Sequence, residues 1–273
     1  MIARLNLPDE TTARPPGGGL FRFAGTARVA PEPLMATLLA FDTSTERMAV
    51  ALALDGRNFV HEAAGGARAS ATLIPAIRDL LREARVEARS LDAIAFGRGP
   101  GAFTGLRTAC AVTQGYAFGL GKPVLVLDTL MAVAEDARQR HAAADVWVAM
   151  DARMDEIYAG HYCHAADGWQ VHAEPALYAL EALHRRWQQA PPKAVAGSAL
   201  AAFGARLQCG SASRLADALP RADALARLAR AAWQAGAGVD AADALPLYLL
   251  DKVALTTAER EAVKARQAGD GPA

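Results

Sequence analysis

The stretch Leu38–Thr45, which reads LLAFDTST, begins the pattern that decides the fold. It covers the end of the apolar run Thr37–Phe41 and the start of the polar segment Asp42–Arg47, and a second apolar run, Met48–Leu54, follows that segment. A third run, Asn58–Glu62, follows an Asp-Gly turn pair. Short runs of this kind with polar turns between them are typical of hairpins. Three consecutive antiparallel strands are therefore predicted, with Asp42 at the end of the first.

The second half of the chain repeats this order of features. Val146–Met150 is predicted to be a strand, Asp151 stands at its end, and Ile157–His164 returns after a polar turn. A repeated order of strand, aspartate, turn and strand indicates a duplicated unit. We therefore predict an α/β protein of two lobes, each with a mixed sheet flanked by helices.

Helical periodicity fills the spaces between the strands. The predicted helices are Ser70–Arg85, Phe103–Gly119, Thr129–Arg140, Ala179–Gln189 and Arg221–Gln234. The last of these helices and the strand-like segment Leu245–Leu250 are expected to complete the second lobe.

These elements divide the chain into four parts. The first lobe is assigned to residues 35–140 and the second to residues 141–255. Residues 1–34 contain a Pro-Pro-Gly-Gly-Gly run among scattered charges without an apolar period, which predicts a disordered extension. The polar residues 256–273 are predicted to be a flexible tail.

Composition argues against several classes of protein. The 273 residues carry 29 basic and 29 acidic side chains, so no overall positive field drives non-specific nucleic-acid binding. No run of about 18 apolar residues suggests a membrane span. The three cysteines are too few and too scattered for a disulfide framework. We expect a cytoplasmic protein.

The polar turn after the first strand is one candidate site. It consists of Asp42, Thr43, Ser44 and Thr45. Its carboxylate and hydroxyl groups can hold a magnesium-bound phosphate. The same groups can instead bond to neighbouring backbone amides, as ordinary turn residues do. The residues allow both interpretations.

The second candidate site is the glycine loop, which comprises Gly97, Gly99 and Gly101 and lies between a strand and a helix. Backbone amides at such a place can converge on an anion at the helix N-terminus. The glycines can alternatively let the loop approach another backbone closely. The run matches neither the P-loop nor the dinucleotide-binding fingerprint, so a phosphate site has only weak support.

No group of residues predicts catalysis. The chain lacks the G-x-S-x-G and H-E-x-x-H patterns, and its cysteines have no activating neighbours in the sequence. His161 and His164 are three positions apart on a predicted strand, so they point to opposite faces. Neither a catalytic residue nor a metal site is predicted.

Four segments carry a family resemblance. They are LLAFDTST from Leu38, FGRGPGAFTGLR from Phe96, DARMDEIY from Asp151 and PLYL from Pro246. In this order and spacing they closely resemble the TsaB (YeaZ) family over residues 35–254. The resemblance implies an actin-like, sugar-kinase-like (ASKHA) fold with duplicated lobes. It also implies a non-catalytic subunit of the bacterial machinery that forms threonylcarbamoyladenosine (t6A) in tRNA.

The resemblance further implies partners. TsaB proteins pair with TsaD, a metal-carrying paralogue that transfers the threonylcarbamoyl group to the adenosine beside the anticodon. The tRNAs concerned read codons that begin with A, and the ATPase TsaE joins the assembly. A protein of this kind has no cofactor of its own, since ATP and the metal belong to partner subunits. It meets tRNA only through the complex and can form a homodimer when alone.

Two departures from active relatives support the non-catalytic assignment. Thr129–Arg140 contains no histidine, whereas the comparable helix of the catalytic paralogue carries an H-x-x-x-H pair. Ser44 takes the glycine position of the Asp-x-Gly-Thr turn in sugar kinases, where a larger residue crowds a phosphate. The alternative function is an ATP-dependent phosphotransferase or ATPase of the same fold. The missing histidine pair opposes a third candidate, a metalloprotease.

The first two helices are apolar around more of their circumference than one sheet contact requires. We therefore predict that they bind TsaD or a second copy of the chain. The predicted interface residues are Leu73, Ile74, Ile77, Leu81, Leu106, Ala109, Val112, Thr113 and Tyr116. Ile74, Val112 and Tyr116 are expected to point outward. The alternative is that the C-terminal segment covers both helices within the chain.

Overall fold

A computed structural model describes residues 36–54 and 56–249. The strands are β1 (Leu38–Asp42), β2 (Arg47–Leu54), β3 (Arg57–Ala64), β4 (Ala93–Gly97), β5 (Val124–Leu127), β6 (Asp145–Arg153), β7 (Glu156–Ala165), β8 (Gly168–Ala179), β9 (Ala194–Ala196), β10 (Ser213–Leu215) and β11 (Gly238–Val239). The helices are α1 (Ala69–Ala84), α2 (Phe103–Leu120), α3 (Thr129–His141), α4 (Leu180–Gln189), α5 (Ala199–Phe203) and α6 (Ala222–Gln234). The predicted extension 1–34 and tail 256–273 lie outside the described residues.

The strands form two mixed sheets of the same design. The first has the order β11-β5-β4-β1-β2-β3 and the second has the order β10-β9-β6-β7-β8. In each sheet three consecutive strands form antiparallel hairpins, and the next strand, β4 or β9, pairs in parallel with the first of the three. The predicted duplication and the α/β class with two mixed sheets are therefore confirmed.

Helices cover both faces of each sheet because alternate strand residues face opposite sides. In β1, Leu39 and Phe41 pack under α1 and α2, whereas Leu38 and Ala40 face α6. Helices α4 and α5 cover the outer face of the second sheet, and α3 covers its inner face. Helix α3 also contacts α6. These two helices therefore lie between the sheets.

Helix α6 does not complete the second lobe, and that expectation is wrong. Its buried face, which includes Ala222, Leu225 and Ala229, packs on the first sheet, where Ala51 and Ala95 leave room for a close approach. Helix α3, which precedes the predicted boundary at residue 140, packs on the second sheet instead. Each half of the chain thus contributes a helix to the sheet of the other half.

The segment Leu245–Leu250 is not a strand over the part that is described, residues 245–249. This segment crosses the glycine loop, where the Leu247 backbone N–H donates to the Arg98 carbonyl oxygen at 2.7 Å. Short strand β11 takes the edge position of the first sheet beside β5. None of the helices in the described ranges is both long and apolar enough to cross a bilayer.

Candidate functional site

Asp42 lies at the end of β1 and is almost fully buried, with 1% of its surface exposed. Its Oδ1 accepts hydrogen bonds from the Ser44 backbone N–H at 2.7 Å and from Ser44 Oγ at 2.6 Å. Its Oδ2 accepts from Thr129 Oγ1 at 2.6 Å. Burial raises the pKa of Asp42, and these hydrogen bonds oppose that effect. Both carboxylate oxygens are thus engaged inside the protein.

The glycine loop lies directly on this turn. A Cβ on Gly97 would overlap the Asp42 carboxylate, and a Cβ on Gly101 would come within 2.6 Å of the Ser44 Cβ. The Ala102 N–H donates to the Ser44 carbonyl oxygen at 2.7 Å, and the Gly99 N–H donates to Thr129 Oγ1 at 3.1 Å. Amides that could receive an anion therefore bond to the turn and to α3.

The glycines allow the loop backbone to lie close to the Asp42 turn, and Gly105 allows helix α2 to lie close to the same turn. A Cβ at Gly105 would overlap the Thr43 carbonyl oxygen, while Thr43 Oγ1 donates to the Gly105 carbonyl oxygen at 2.7 Å. Thr43 has no exposed surface and Ser44 has 2%. The predicted glycine loop and the predicted polar turn are thus brought together as one packed unit, in which only Thr45 and Gly101 are partly open to solvent.

A cleft of about 470 Å³ opens between the two halves of the chain, next to this unit. Its lining includes Thr45 and Arg47 from the first half and Arg153 and Tyr158 from the second. Asp42 does not line it. The cleft therefore meets the outer edge of the turn and not the buried carboxylate.

The two arginines that line the cleft already have acidic partners. Arg47 lies 3.1 Å from Glu62, and Arg153 lies 2.8 Å from Glu46 and 3.3 Å from Asp151. The Arg153–Glu46 pair joins the two halves across the cleft. Because these cations are paired, the cleft does not present an open anion-binding arginine at these positions.

Asp128 makes a second buried link between the halves that the sequence reasoning missed. Its Oδ1 accepts from the N–H groups of Leu130 and Met131 at the start of α3, and its Oδ2 accepts from the Tyr162 hydroxyl of β7 at 2.7 Å. Burial raises the pKa of Asp128 to about 6, although these hydrogen bonds and the positive charge of Arg98 lower it. The aspartate directly before an apolar helix is a helix N-cap signal that could have identified it.

Helix α3 extends one residue beyond its predicted end and includes His141. The Nε2 atom of His141 lies 3.0 Å from an Asp217 carboxylate oxygen. The position one helical turn earlier is Ala137, so α3 holds no H-x-x-x-H pair.

Most of the predicted interface residues are buried inside the chain, and for these residues the prediction is wrong. The buried residues are Leu73, Ile77, Leu81, Leu106, Ala109 and Thr113. The physical reason is that the α1 residues pack on the first sheet, while the C-terminal segment covers one side of α2. Ala241 and Ala244 join this core, and Cys110 Sγ and Gln114 Nε2 both donate to the Ala244 carbonyl oxygen at 3.1 Å.

A smaller outward surface remains on these two adjacent helices. Ile74 is 44% exposed, and Val112 and Tyr116 are half-buried. Phe118, which is 85% exposed, was missed by the sequence reasoning. Its signal is the spacing of Ala111, Gly115 and Phe118, which places a large apolar side chain at the end of an exposed stripe of small residues. We call Ile74, Val112 and Tyr116 the α1–α2 surface, and Phe118 lies on another side of α2 because it is two positions from Tyr116.

Comparison with solved structures supports this architecture over most of the chain. YeaZ from Pseudomonas aeruginosa is 42% identical and superposes with a TM-score of 0.73, covering 79% of this chain and 100% of that one. A second structure, described as similar to peptidase YEAZ from the same organism, is 41% identical with a TM-score of 0.74 over the same shares. The expected ASKHA fold is thereby confirmed.

Curated relatives agree with the structural matches. The tRNA threonylcarbamoyladenosine biosynthesis protein TsaB of Escherichia coli K12 is 35% identical over 153 residues, which are 56% of this chain and 66% of that protein. Its namesake in Haemophilus influenzae is 42% identical over 123 residues, which are 45% of this chain and 52% of that protein. The chain thus spans between about half and two thirds of the length of these curated relatives.

A family described as TsaD, tRNA N6-adenosine threonylcarbamoyltransferase, matches residues 59–240. This range contains the glycine loop and the hairpin turn at Asp151. By these matches the chain belongs to the TsaD-like family and, within it, to the TsaB (YeaZ) proteins.

Proposed function

We propose that this protein is a non-catalytic subunit of the t6A machinery. It binds TsaD and supports threonylcarbamoylation of the adenosine next to the anticodon in tRNAs that read codons beginning with A. TsaE joins the same assembly, and this protein contacts tRNA only as part of the complex. ATP and the metal belong to partner subunits. The protein acts in the cytoplasm and pairs with a second copy of itself when TsaD is absent.

The packing of the glycine loop on the polar turn carries the non-catalytic part of the proposal. A phosphotransferase of this fold needs an aspartate that can reach a metal-bound phosphate or a water molecule. Here both oxygens of Asp42 accept short hydrogen bonds from Ser44 and Thr129, and the turn is closed off by the loop. The alternative, an ATP-dependent phosphotransferase or ATPase, is not favoured.

The α1–α2 surface supports the partner part of the proposal. Ile74 exposes a large apolar side chain, and Val112 and Tyr116 are half-buried on the adjacent helix α2. Exposed apolar side chains that lie together on one surface mark association sites. Large side chains near the centre of such a surface each contribute about 2 kcal/mol or more to association.

The test is the double variant Ile74→Glu/Val112→Glu in a reconstituted t6A system with TsaD and TsaE of the same cell. We expect binding to TsaD to weaken more than about a hundredfold, because two charges enter the apolar surface. The measurements are TsaD pull-down, light scattering for the homodimer, and mass spectrometry of the modified nucleoside. t6A formation should fall together with TsaD binding.

Val60→Glu is the matched control. Val60 is 47% exposed, similar to Ile74, but it lies on the face of β3 opposite to α1. This variant should bind TsaD normally, and circular dichroism should show native folding for both proteins. Normal TsaD binding by the double variant would refute this interface, and t6A formation without this protein would refute the assignment to the machinery.

A further inference from the structure

Asp145, His161 and Cys163 bring three metal-binding atoms together at the start of the second sheet. The His161 Nε2 atom lies 2.7 Å from Asp145 Oδ1 and 3.8 Å from Cys163 Sγ. All three donor atoms lie within 4.8 Å of one another. Within residues 36–54 and 56–249 this is the one group of three or more such side chains arranged in this way. It is separate from the cleft and from α3.

The strand register explains why these residues meet. In the antiparallel pair of β6 and β7, Asp145 is opposite Cys163 and Trp147 is opposite His161. His161 and Cys163 are two positions apart, so both point to the outer face of the sheet. His164, at a spacing of three from His161, lies on the other face beside Trp169. Sequence reasoning compared the two histidines and so missed the cysteine and the cross-strand aspartate.

The position of the imidazole is fixed by its neighbours. The His161 ring stacks on Trp147 with centroids 5.1 Å apart and an interplanar angle of 7°. The other oxygen of Asp145, Oδ2, pairs with Lys193 Nζ at 2.7 Å. This contact orients the carboxylate and leaves Oδ1 directed at the histidine. Lys193 is 78% exposed, so its ammonium group can move into water without breaking a core contact.

The donor set selects among metals. Magnesium and calcium prefer oxygen ligands alone, whereas zinc accepts one thiolate, one imidazole and one carboxylate in a tetrahedral site. Zinc bonds of about 2.0–2.3 Å require the present Asp145–His161 contact to open by roughly half an ångström. The negative charges of the carboxylate and the thiolate balance the two positive charges of the ion. The thiol proton is released to water when the ion binds.

We propose that Asp145, His161 and Cys163 bind a zinc ion, with water as the fourth ligand. The ion joins β6 to β7 and stabilises the second sheet. It is a site of this chain itself and does not depend on TsaD, on tRNA or on the proposed function. Its presence or absence can therefore be measured with the purified full-length protein.

The first experiment uses cobalt as a spectroscopic probe. Chelator-treated protein is titrated with Co²⁺, and we expect one equivalent to produce the near-ultraviolet absorption of a thiolate–cobalt bond, which Zn²⁺ then removes. Cys163→Ser should abolish this absorption. His161→Ala and Asp145→Asn should each weaken binding at least about tenfold. His164→Ala and Cys209→Ser are the matched controls and should bind cobalt like the wild type.

A second measurement needs no variant and so does not depend on their folding. Zn²⁺ should slow alkylation of Cys163 in the wild-type protein, as read by peptide mass spectrometry, and should raise its melting temperature. Absence of a thiolate–cobalt band at equimolar Co²⁺, or a band that persists in Cys163→Ser, would overturn the proposal. Equal alkylation of Cys163 with and without Zn²⁺ would overturn it as well.

Discussion

The hairpin turns at Asp42 and Asp151 occupy equivalent places in the two sheets, yet only one is closed. Three glycines, Gly97 at the end of β4 and Gly101 and Gly105 after it, let the loop and α2 lie on the Asp42 turn. After β9, Gly197 alone makes a comparable contact, and Ser198 Oγ accepts a hydrogen bond from the Asp151 N–H at 3.1 Å. Asp151 stays half-buried and pairs with Arg153.

This difference shows that the burial of a turn depends on the chain segment that packs over it. Both turns follow a strand and an aspartate, so their local sequences predict the same geometry. The loop after β4 spans residues 98–102 and leads into the 18-residue helix α2, whereas the loop after β9 spans only residues 197–198 and leads into α5, which has 5 residues. Closure of the first turn is therefore a tertiary property, produced by glycines about 60 positions away in the chain.

The largest expected effect comes from filling the space between α2 and the first turn. Gly105→Ala places a Cβ on the Thr43 carbonyl oxygen, a backbone atom that cannot move aside, and should lower the free energy of unfolding by about 3 kcal/mol. Gly115→Ala is the control in the same helix. Its Cβ meets nothing within 4 Å, so higher helix propensity should raise stability by up to about 1 kcal/mol. Urea unfolding of both variants measures the difference, and equal stabilities would contradict the close packing.

The buried contact between the halves should give stability a pH dependence. The pKa of Asp128 in the folded protein is about 6 against an ordinary value of 3.8. The folded state therefore holds this proton more tightly. The resulting stabilisation is fully present below about pH 4 and is lost as the pH rises through 6, by about 3 kcal/mol. Chemical unfolding of the wild type and Asp128→Asn between pH 4 and 7 measures it. The difference in unfolding free energy between the wild type and Asp128→Asn should change with pH across this range. A difference that stays constant would contradict the raised pKa of Asp128.

Removal of Asp42 and removal of Asp151 should change the free energy of unfolding by different amounts, and this difference is smaller than the effects above. Asp42→Ala leaves three buried donors without their acceptor and should destabilise the fold by about 2–3 kcal/mol. Asp151→Ala removes a partly exposed ion pair and should cost less than about 1 kcal/mol. Thermal unfolding tests the order of these two values. t6A formation should persist in Asp42→Ala wherever the folded complex still forms, and its complete loss in an intact complex would assign Asp42 a catalytic role.

Local pattern was enough to predict the repeated hairpins and most helices. The alternation around Asp42 and Asp151 depends only on neighbouring residues, and both hairpins form as predicted. The placement of α6 could not be read in this way. Its alanine-rich face fits alanines of the first sheet that are far away in sequence. A helix pattern reports which residues are buried but not which sheet buries them.

The same limit explains the candidate site. The glycines and the polar turn were identified, but their mutual contact depends on how the loop after β4 crosses β1. The wide apolar surface of α2 could be buried either by a partner or by another part of this chain, and residues 241–244 bury one side of it from within the chain. Only the exposed fraction of each side chain, such as Ile74 or Phe118, distinguishes a surface that a partner can reach from one that is buried within the chain.

The most direct test of the closed Asp42 turn is calorimetric titration of the purified protein with magnesium ATP, without partner subunits. We predict no measurable binding, because the Asp42 carboxylate already accepts hydrogen bonds from Ser44 and Thr129. The N–H groups of Gly99 and Ala102 in the loop also already have acceptors. Stoichiometric binding that disappears in Asp42→Ala, with the variant still folded, would contradict it. Such a result would make the turn a working nucleotide site and would return the ATP-dependent alternative to first place.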